Sequence, residues 1–376
     1  MSIRPCSVLV SMVVALGCAG ACAPGGEPAN EVEVALGALV DSVAAQPAVP
    51  GAILYAYAPS QGLEWAGASG VDEADSGGAL TADQPFRNAS NTKTYTAAAV
   101  LRLWEAGLLD LDAPIRGFLD DEQAELLVGD GYDVDAITIR ELLSHTAGLI
   151  DHGSTASYLE AVLADPARRW TRDDQLAGAV DWGDPLGASG RAYSYSDTGY
   201  ILLGQVIERV TDQPLGPAVR ELLHFDRLGL TATWWELFES PQAGTPTRAR
   251  QYIGGTDTFD WDPSLDSYGG GGLVTNAHDL AGFWYALFTG EVFDEEATLE
   301  TMKTTPIPES ETPYRLGLFV REIAGMTAYE HSGFWGSRAI YVPELDLVVA
   351  GLVTEQSRGA DVFAMTERAV ELIAGG

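Results

Sequence analysis

The stretch Phe86-Arg87-Asn88-Ala89-Ser90-Asn91-Thr92-Lys93-Thr94-Tyr95-Thr96-Ala97-Ala98-Ala99-Val100-Leu101 decides how the chain is read. Its alanine-rich half has high helix propensity. Residues three apart on a helix share one face, so Ser90 and Lys93 set a hydroxyl beside an amine. That is the minimum kit for a serine nucleophile with its own base. The spacing S-x-x-K by itself arises by chance in chains of this length. A second feature strengthens it: Lys93 and Lys303 are the only lysines in the chain. Arginine does not give up its proton and lysine can, so a lysine kept where arginine is the default cation suits a base.

Around this stretch the pattern is that of an α+β protein. Glu31 to Ala45 has helical spacing, with Val34, Leu36, Leu39, Val40 and Val43 largely on one face. Gly51 to Ala58 and Leu63 to Ala68 read as a hairpin joined through Pro59-Ser60-Gln61-Gly62. The Ser90 helix is expected to end near Gly107. From there to about residue 265 the pattern is mostly helical, with a short helix over Ile139 to His145. A strongly apolar helix over Tyr200 to Val210 is expected to pack on the Ser90 helix. The run Gly269 to Gly272 marks a boundary. After it come a helix over Ala277 to Leu287, strands over Arg315 to Val320, Ala339 to Val342 and Leu347 to Val353, and a closing helix over Asp361 to Ile373. Strands at both ends predict one antiparallel sheet flanked by the N- and C-terminal helices, with a large helical insertion. The expected division is an α/β part over residues 31–85 and 269–376 and a helical part over 86–268.

The 376 residues carry Lys+Arg 21 against Asp+Glu 54, a formal charge of −33. Nucleic acid and anionic membrane surfaces are poor partners for such a chain. The acids are scattered and read as a solubility adaptation. Residues 1–17 read as a signal peptide, with Arg4 the only charge before Glu27 and an apolar run over Val8 to Gly17 too short to span a bilayer. Val14-Ala15-Leu16-Gly17-Cys18 is similar to a bacterial lipoprotein cleavage site, which makes Cys18 the expected lipidation residue; ordinary cleavage after Ala21 or Ala23 competes. Residues 18–30 then form a tether, and the expected location is the periplasm or cell envelope, with membrane contact only through that anchor. All three cysteines (Cys6, Cys18, Cys22) lie in this N-terminal segment, so the body has no internal disulfide and no thiol nucleophile.

Serine chemistry also needs a proton relay and donors for an oxyanion. Tyr195-Ser196-Asp197-Thr198-Gly199-Tyr200 puts a phenol at a loop-to-helix junction. His331-Ser332-Gly333-Phe334-Trp335-Gly336 lies just before a strand, with small residues that let a ligand approach backbone. These stretches, together with Leu142-Leu143-Ser144-His145-Thr146-Ala147-Gly148-Leu149, Leu228-Gly229-Leu230-Thr231 and Gly271-Gly272-Leu273-Val274, resemble in order and spacing the serine β-lactamase/penicillin-binding-protein superfamily, in its class C-like branch. The resemblance covers Glu31 to the C-terminus. It implies that Ser90 becomes acylated, Lys93 activates it, and Tyr195 relays a proton. It further implies that the backbone N–H groups of Ser90 and Phe334 form the oxyanion hole, and that His331, Ser332 and Gly333, which stand where the branch has K-T-G, bind substrate along the strand on which it docks. No metal or cofactor is implied. The implied partner is a small-molecule or peptide substrate, with cell-wall peptides among the candidates.

Two residues depart from the pattern. Asp197 replaces the usual Asn; an amide donates to a substrate carbonyl, whereas a carboxylate only accepts, and it would hold Lys93 protonated. His331 replaces the Lys that helps to bind the carboxylate of a β-lactam. The expected activity is therefore that of a peptidase or amidase, with a carboxylesterase of the same fold as the alternative and weak β-lactam hydrolysis. Asp197 also keeps open a catalytically impaired binding or sensor protein. No G-x-S-x-G elbow and no H-E-x-x-H occurs, which disfavours an α/β-hydrolase and a zincin. His145 reads as a loop-pinning hydrogen-bonder and Asp120-Asp121-Glu122 as a solvated face. His152, His224 and His278 read as surface or core residues. The tryptophans read as packing, apart from Trp335, expected to line the site.

Overall fold

The computed structural model describes residues 31–74, 77–307 and 312–376. The expected signal peptide, tether and Cys18 lie outside the described residues. Among the described residues, eleven strands and eleven α-helices order as follows. The N-terminal part holds α1 (Glu31–Ala44), β1 (Gly51–Ala58), β2 (Leu63–Gly70), β3 (Phe86–Arg87) and α2 (Thr92–Glu105). The helical region holds α3 (Asp121–Gly129), α4 (Ile139–Leu143), α5 (Ala156–Ala164), α6 (Arg172–Trp182), α7 (Asp197–Thr211) and α8 (Leu215–Leu222). Short strands β4 (Trp234–Trp235), β5 (Tyr252–Ile253), β6 (Thr256–Asp257) and β7 (Leu273–Thr275) follow. The C-terminal part holds α9 (Ala277–Phe288), α10 (Glu296–Met302), β8 (Phe319–Ile323), β9 (Met326–Ser332), β10 (Ser337–Val342), β11 (Leu347–Val353) and α11 (Gly359–Gly375).

The main sheet runs β2-β1-β11-β10-β9-β8, with every neighbouring pair antiparallel. Both termini thus build one sheet. Side chains alternate across it as the period of two demands. Ala52, Leu54 and Ala56 face α1 and α11, where they meet Leu36, Val40, Met365 and Ala369. Ile53 and Tyr55 face the opposite core, with α9 and the helical region. Pairing at Ala52↔Val353 and Leu54↔Gly351 locks this register, because a one-residue slip would turn every apolar side chain to the wrong face.

Two expectations for the tail are corrected. The strand expected over Arg315 to Val320 begins only at Phe319, and β9 was not expected at all. The two form a tight hairpin through Ala324 and Gly325, both at positive φ (52° and 78°), the geometry of a type I′ turn. Alanine is an uncommon residue there, which hid the turn. In β9 the buried Glu330 breaks the apolar alternation; it ion-pairs with Arg338 and Arg321. Helix α7 packs on α2 as expected, and Asp120 caps α3 through a reciprocal capping box with Gln123.

Candidate active site

Ser90 is not inside the long helix. It sits on a 3-10 turn (Ala89–Asn91) and α2 starts at Thr92, which puts Lys93 in its first turn. Ala89, just before Ser90, has φ 44°, a conformation costly for any residue with a side chain. Neighbours hold the turn there. Ser337 on β10 donates from Oγ to Asn88 O (2.9 Å) and accepts from Asn91 Nδ2 (2.9 Å). Gly333 allows this approach, since a Cβ there would lie 2.3 Å from Asn88 O. The nucleophile turn is therefore clamped against the β9–β10 turn.

Lys93 is 0% exposed. Its Nζ donates to Ser90 Oγ (2.9 Å) and to Gly270 O (2.7 Å), and it ion-pairs with Asp197 Oδ1. The glycine run read as a boundary thus passes over the site: Gly270 supplies an acceptor to Lys93, and Gly269 O accepts from Thr96 Oγ1 (2.8 Å). Burial acts to lower the Lys93 pKa, yet the charge of Asp197, with Tyr195 and Asp266, holds it above the usual lysine value. Asp197 is held below the usual carboxylate range: burial opposes its charge, but Lys93 outweighs it. It sits at the N-terminus of α7, where a negative charge is favoured, and its backbone N–H donates to Asp151 Oδ1 (2.9 Å). Burial and the Asp197 charge push the Asp151 carboxyl up to about 7.

Tyr195 lies within hydrogen-bonding reach of Ser90 and Lys93, with the ammonium 5.0 Å from its ring centroid. Burial raises its pKa against the pull of Lys93. His145 pins the loop that carries it: Ser194 N–H donates to His145 O (2.8 Å) and Ser196 N–H to His145 Nδ1 (3.1 Å). Tyr200 and Tyr314 pack on the same imidazole. His331 is 1% exposed. Its Nδ1 lies 2.8 Å from Ser332 O and its Nε2 3.3 Å from the Tyr314 hydroxyl, which fits a neutral ring. Burial, with the Lys93 charge, pushes it down to about 3. The ring therefore belongs to the packed aromatic backing, while Ser332 and Gly333 are half-buried at the end of the strand.

A cavity of about 340 Å³ opens beside Ser90. Asp197, Gly270, Phe334 and Trp335 line it, as do residues that sequence reasoning passed over: Tyr158, Leu159 and Val162 of α5, Gln175 of α6, Trp261, Leu265 and Asp266. His152, read as surface or core, is buried at its edge and bonded to Thr198. In the β9–β10 turn, Gly333 N–H donates to Ser337 O (2.8 Å) and Gly336 N–H to Gly333 O (3.0 Å); the N–H of Phe334 enters neither bond.

A family model described as Beta-lactamase matches residues 36–373. "Penicillin-binding protein 4" of Amycolatopsis lactamdurans is 34% identical over 193 residues, 50% of this chain and 46% of that protein. "Esterase EstB" of Burkholderia gladioli is 36% identical over 162 residues, 42% of this chain and 40% of that protein. The chain thus matches under half the length of each of these relatives. Among solved structures, the D-stereospecific amidohydrolase from Streptomyces sp. superposes with a TM-score of 0.75 at 27% identity, covering 89% of this chain and 98% of that one. The chain belongs to the Beta-lactamase family.

Proposed function

We propose that this protein is an exported hydrolase that works through an acyl-enzyme on Ser90 and cleaves peptides or amides. The observation that carries this is the 2.9 Å contact between Lys93 Nζ and Ser90 Oγ, with Tyr195 in reach of both, at the mouth of a cavity. Ser90 Oγ attacks the carbonyl, and the N–H groups of Ser90 and Phe334 receive the developing oxyanion. In the resting site the amine is protonated and donates to Ser90, so it takes the hydroxyl proton only after releasing one of its own. The Asp197 charge opposes that release, so the free amine appears, its proton passing to solvent, only as the pH rises. Tyr195 then protonates the leaving group and is resupplied by Lys93. Water reverses the sequence in deacylation.

The buried, neutral His331 and a cavity lined, among the described residues, by no lysine or arginine offer no counter-charge to the carboxylate of a β-lactam. A carboxylesterase is the second reading, favoured by the apolar cavity wall and by the likeness to Esterase EstB. Turnover of a D-Ala-D-Ala peptide, a D-amino-acid amide, a short p-nitrophenyl ester and a cephalosporin by the purified protein separates these. Peptide or amide cleavage is expected to lead and the cephalosporin to trail; efficient cephalosporin hydrolysis would contradict the reading.

A further inference from the structure

The cavity holds two carboxylates of different standing. Asp197 is neutralised by Lys93. Asp266, at the end of the 3-10 turn Pro263–Asp266, lines the same cavity and, among the described residues, forms no ion pair and accepts no hydrogen bond. Arg87, whose charge reaches it, is already committed to Glu236 (Nε to Oε2, 2.7 Å), Trp261 O (2.7 Å) and Thr258 O (3.2 Å). Gly271 leaves the carboxylate its place, since a Cβ there would lie 2.2 Å from it. Burial and the Asp197 charge raise this carboxyl to about 7, as expected of an acid without a partner.

A second unpaired acceptor lies buried in the wall of the same cavity. Gln175 is 1% exposed and lines the cavity. Its Nε2 donates to Leu265 O (2.9 Å), which leaves Oε1 without a donor. A buried acceptor left unpaired is costly. The remaining walls are apolar and aromatic, with Tyr158, Trp261, Phe334 and Trp335, and aromatic faces attract organic cations.

We propose that this cavity is a subsite for a substrate group that carries a positive charge on an apolar frame, with Asp266 as its counter-ion. The favoured acyl donors are those bearing an organic ammonium group. This substrate class rests on the reading of Ser90 as nucleophile, whereas the cation site itself does not.

Two measurements at about pH 8 test it. One compares kcat/KM for the p-nitrophenyl ester of a trimethylammonio-butyrate with that of its neutral tert-butyl isostere. The other follows benzyltrimethylammonium binding by calorimetry to the wild type, Ser90→Ala and Asp266→Asn, with folding checked by circular dichroism. The wild type is expected to favour the cationic ester by about tenfold. Ser90→Ala should bind the cation as the wild type does, and Asp266→Asn about tenfold more weakly. Equal kcat/KM for the two esters, or undiminished binding to Asp266→Asn, overturns the proposal. Should Asp266→Asn fail to fold, the wild-type ester ratio decides alone. Cation binding without ester turnover would overturn the Ser90 reading and leave the subsite standing.

Discussion

The site has a floor and a wall, built by opposite rules. In the floor, Ser90, Lys93 and Asp197 are linked by hydrogen bonds or an ion pair, Tyr195 lies within reach of them, and His145, Tyr200, Tyr314 and His331 pack behind. The wall from α5, Gln175, Trp261 and Asp266 is mostly apolar and, among the described residues, leaves the Asp266 carboxylate and Gln175 Oε1 without a hydrogen-bond donor. A floor with its charges matched fixes reacting atoms in one geometry, which is what proximity and proton transfer require. A wall with unmatched groups waits for a ligand to match them. The chemistry is assigned to the floor and the selection to the wall, so floor substitutions should act on kcat and wall substitutions on the choice of substrate.

The largest effects belong to the floor. Lys93→Ala and Tyr195→Phe are each expected to lower kcat by roughly a hundred- to ten-thousand-fold with folding retained; steady-state kinetics with circular dichroism checks this. Wild-type turnover in either variant would remove that residue from the relay. The next effect is on pH. A raised Lys93 pKa means the amine is charged at neutral pH, so kcat/KM should climb toward alkaline pH as the neutral form appears. Asp197→Asn removes the ion-paired charge that holds the proton on. The alkaline limb should then move down by about one pH unit or more, and activity at neutral pH should rise. A limb that stays put or moves up would separate Asp197 from the Lys93 proton.

Smaller effects probe what supports each region. Ser337→Ala removes both side-chain bonds that clamp the Ser90 turn. It should cost about 1–3 kcal/mol in denaturant unfolding and lower kcat more than it raises KM. Leu159→Ala trims a wall residue that is 42% exposed at the cavity. A few-fold rise in KM for apolar acyl donors with kcat unchanged is expected, on the order of one buried methylene or two. A kcat loss there instead would blur the division between wall and floor.

The same division separates what the sequence made legible from what it did not. The floor's reacting side chains stand in short motifs: Ser90 and Lys93 are three residues apart, and Tyr195 is found by its register before Ser196-Asp197-Thr198-Gly199-Tyr200. Asp197 was visible as a departure, and its ion pair with Lys93 is the consequence expected of a carboxylate in that place. Gly270 was not readable as a partner of Lys93, because a backbone carbonyl leaves no side-chain signature. The wall was not readable either. Tyr158, Gln175, Trp261 and Asp266 come from separate loops and helices that only the tertiary fold gathers. The main sheet was legible through the apolar runs of β1, β10 and β11. Strand β9 was not, since its buried Glu330 reads as exposed until its arginine partners are placed beside it.

The central claim is that Ser90, and no other residue, carries the acyl group. Intact-mass measurement after exposure to a fluorophosphonate tests it most directly, on the wild type and on Ser90→Ala. One adduct on the wild-type protein, mapped to the peptide containing Ser90 and absent from Ser90→Ala, is the predicted result. A wild type that stays unlabelled, or an adduct that persists in Ser90→Ala, would contradict it.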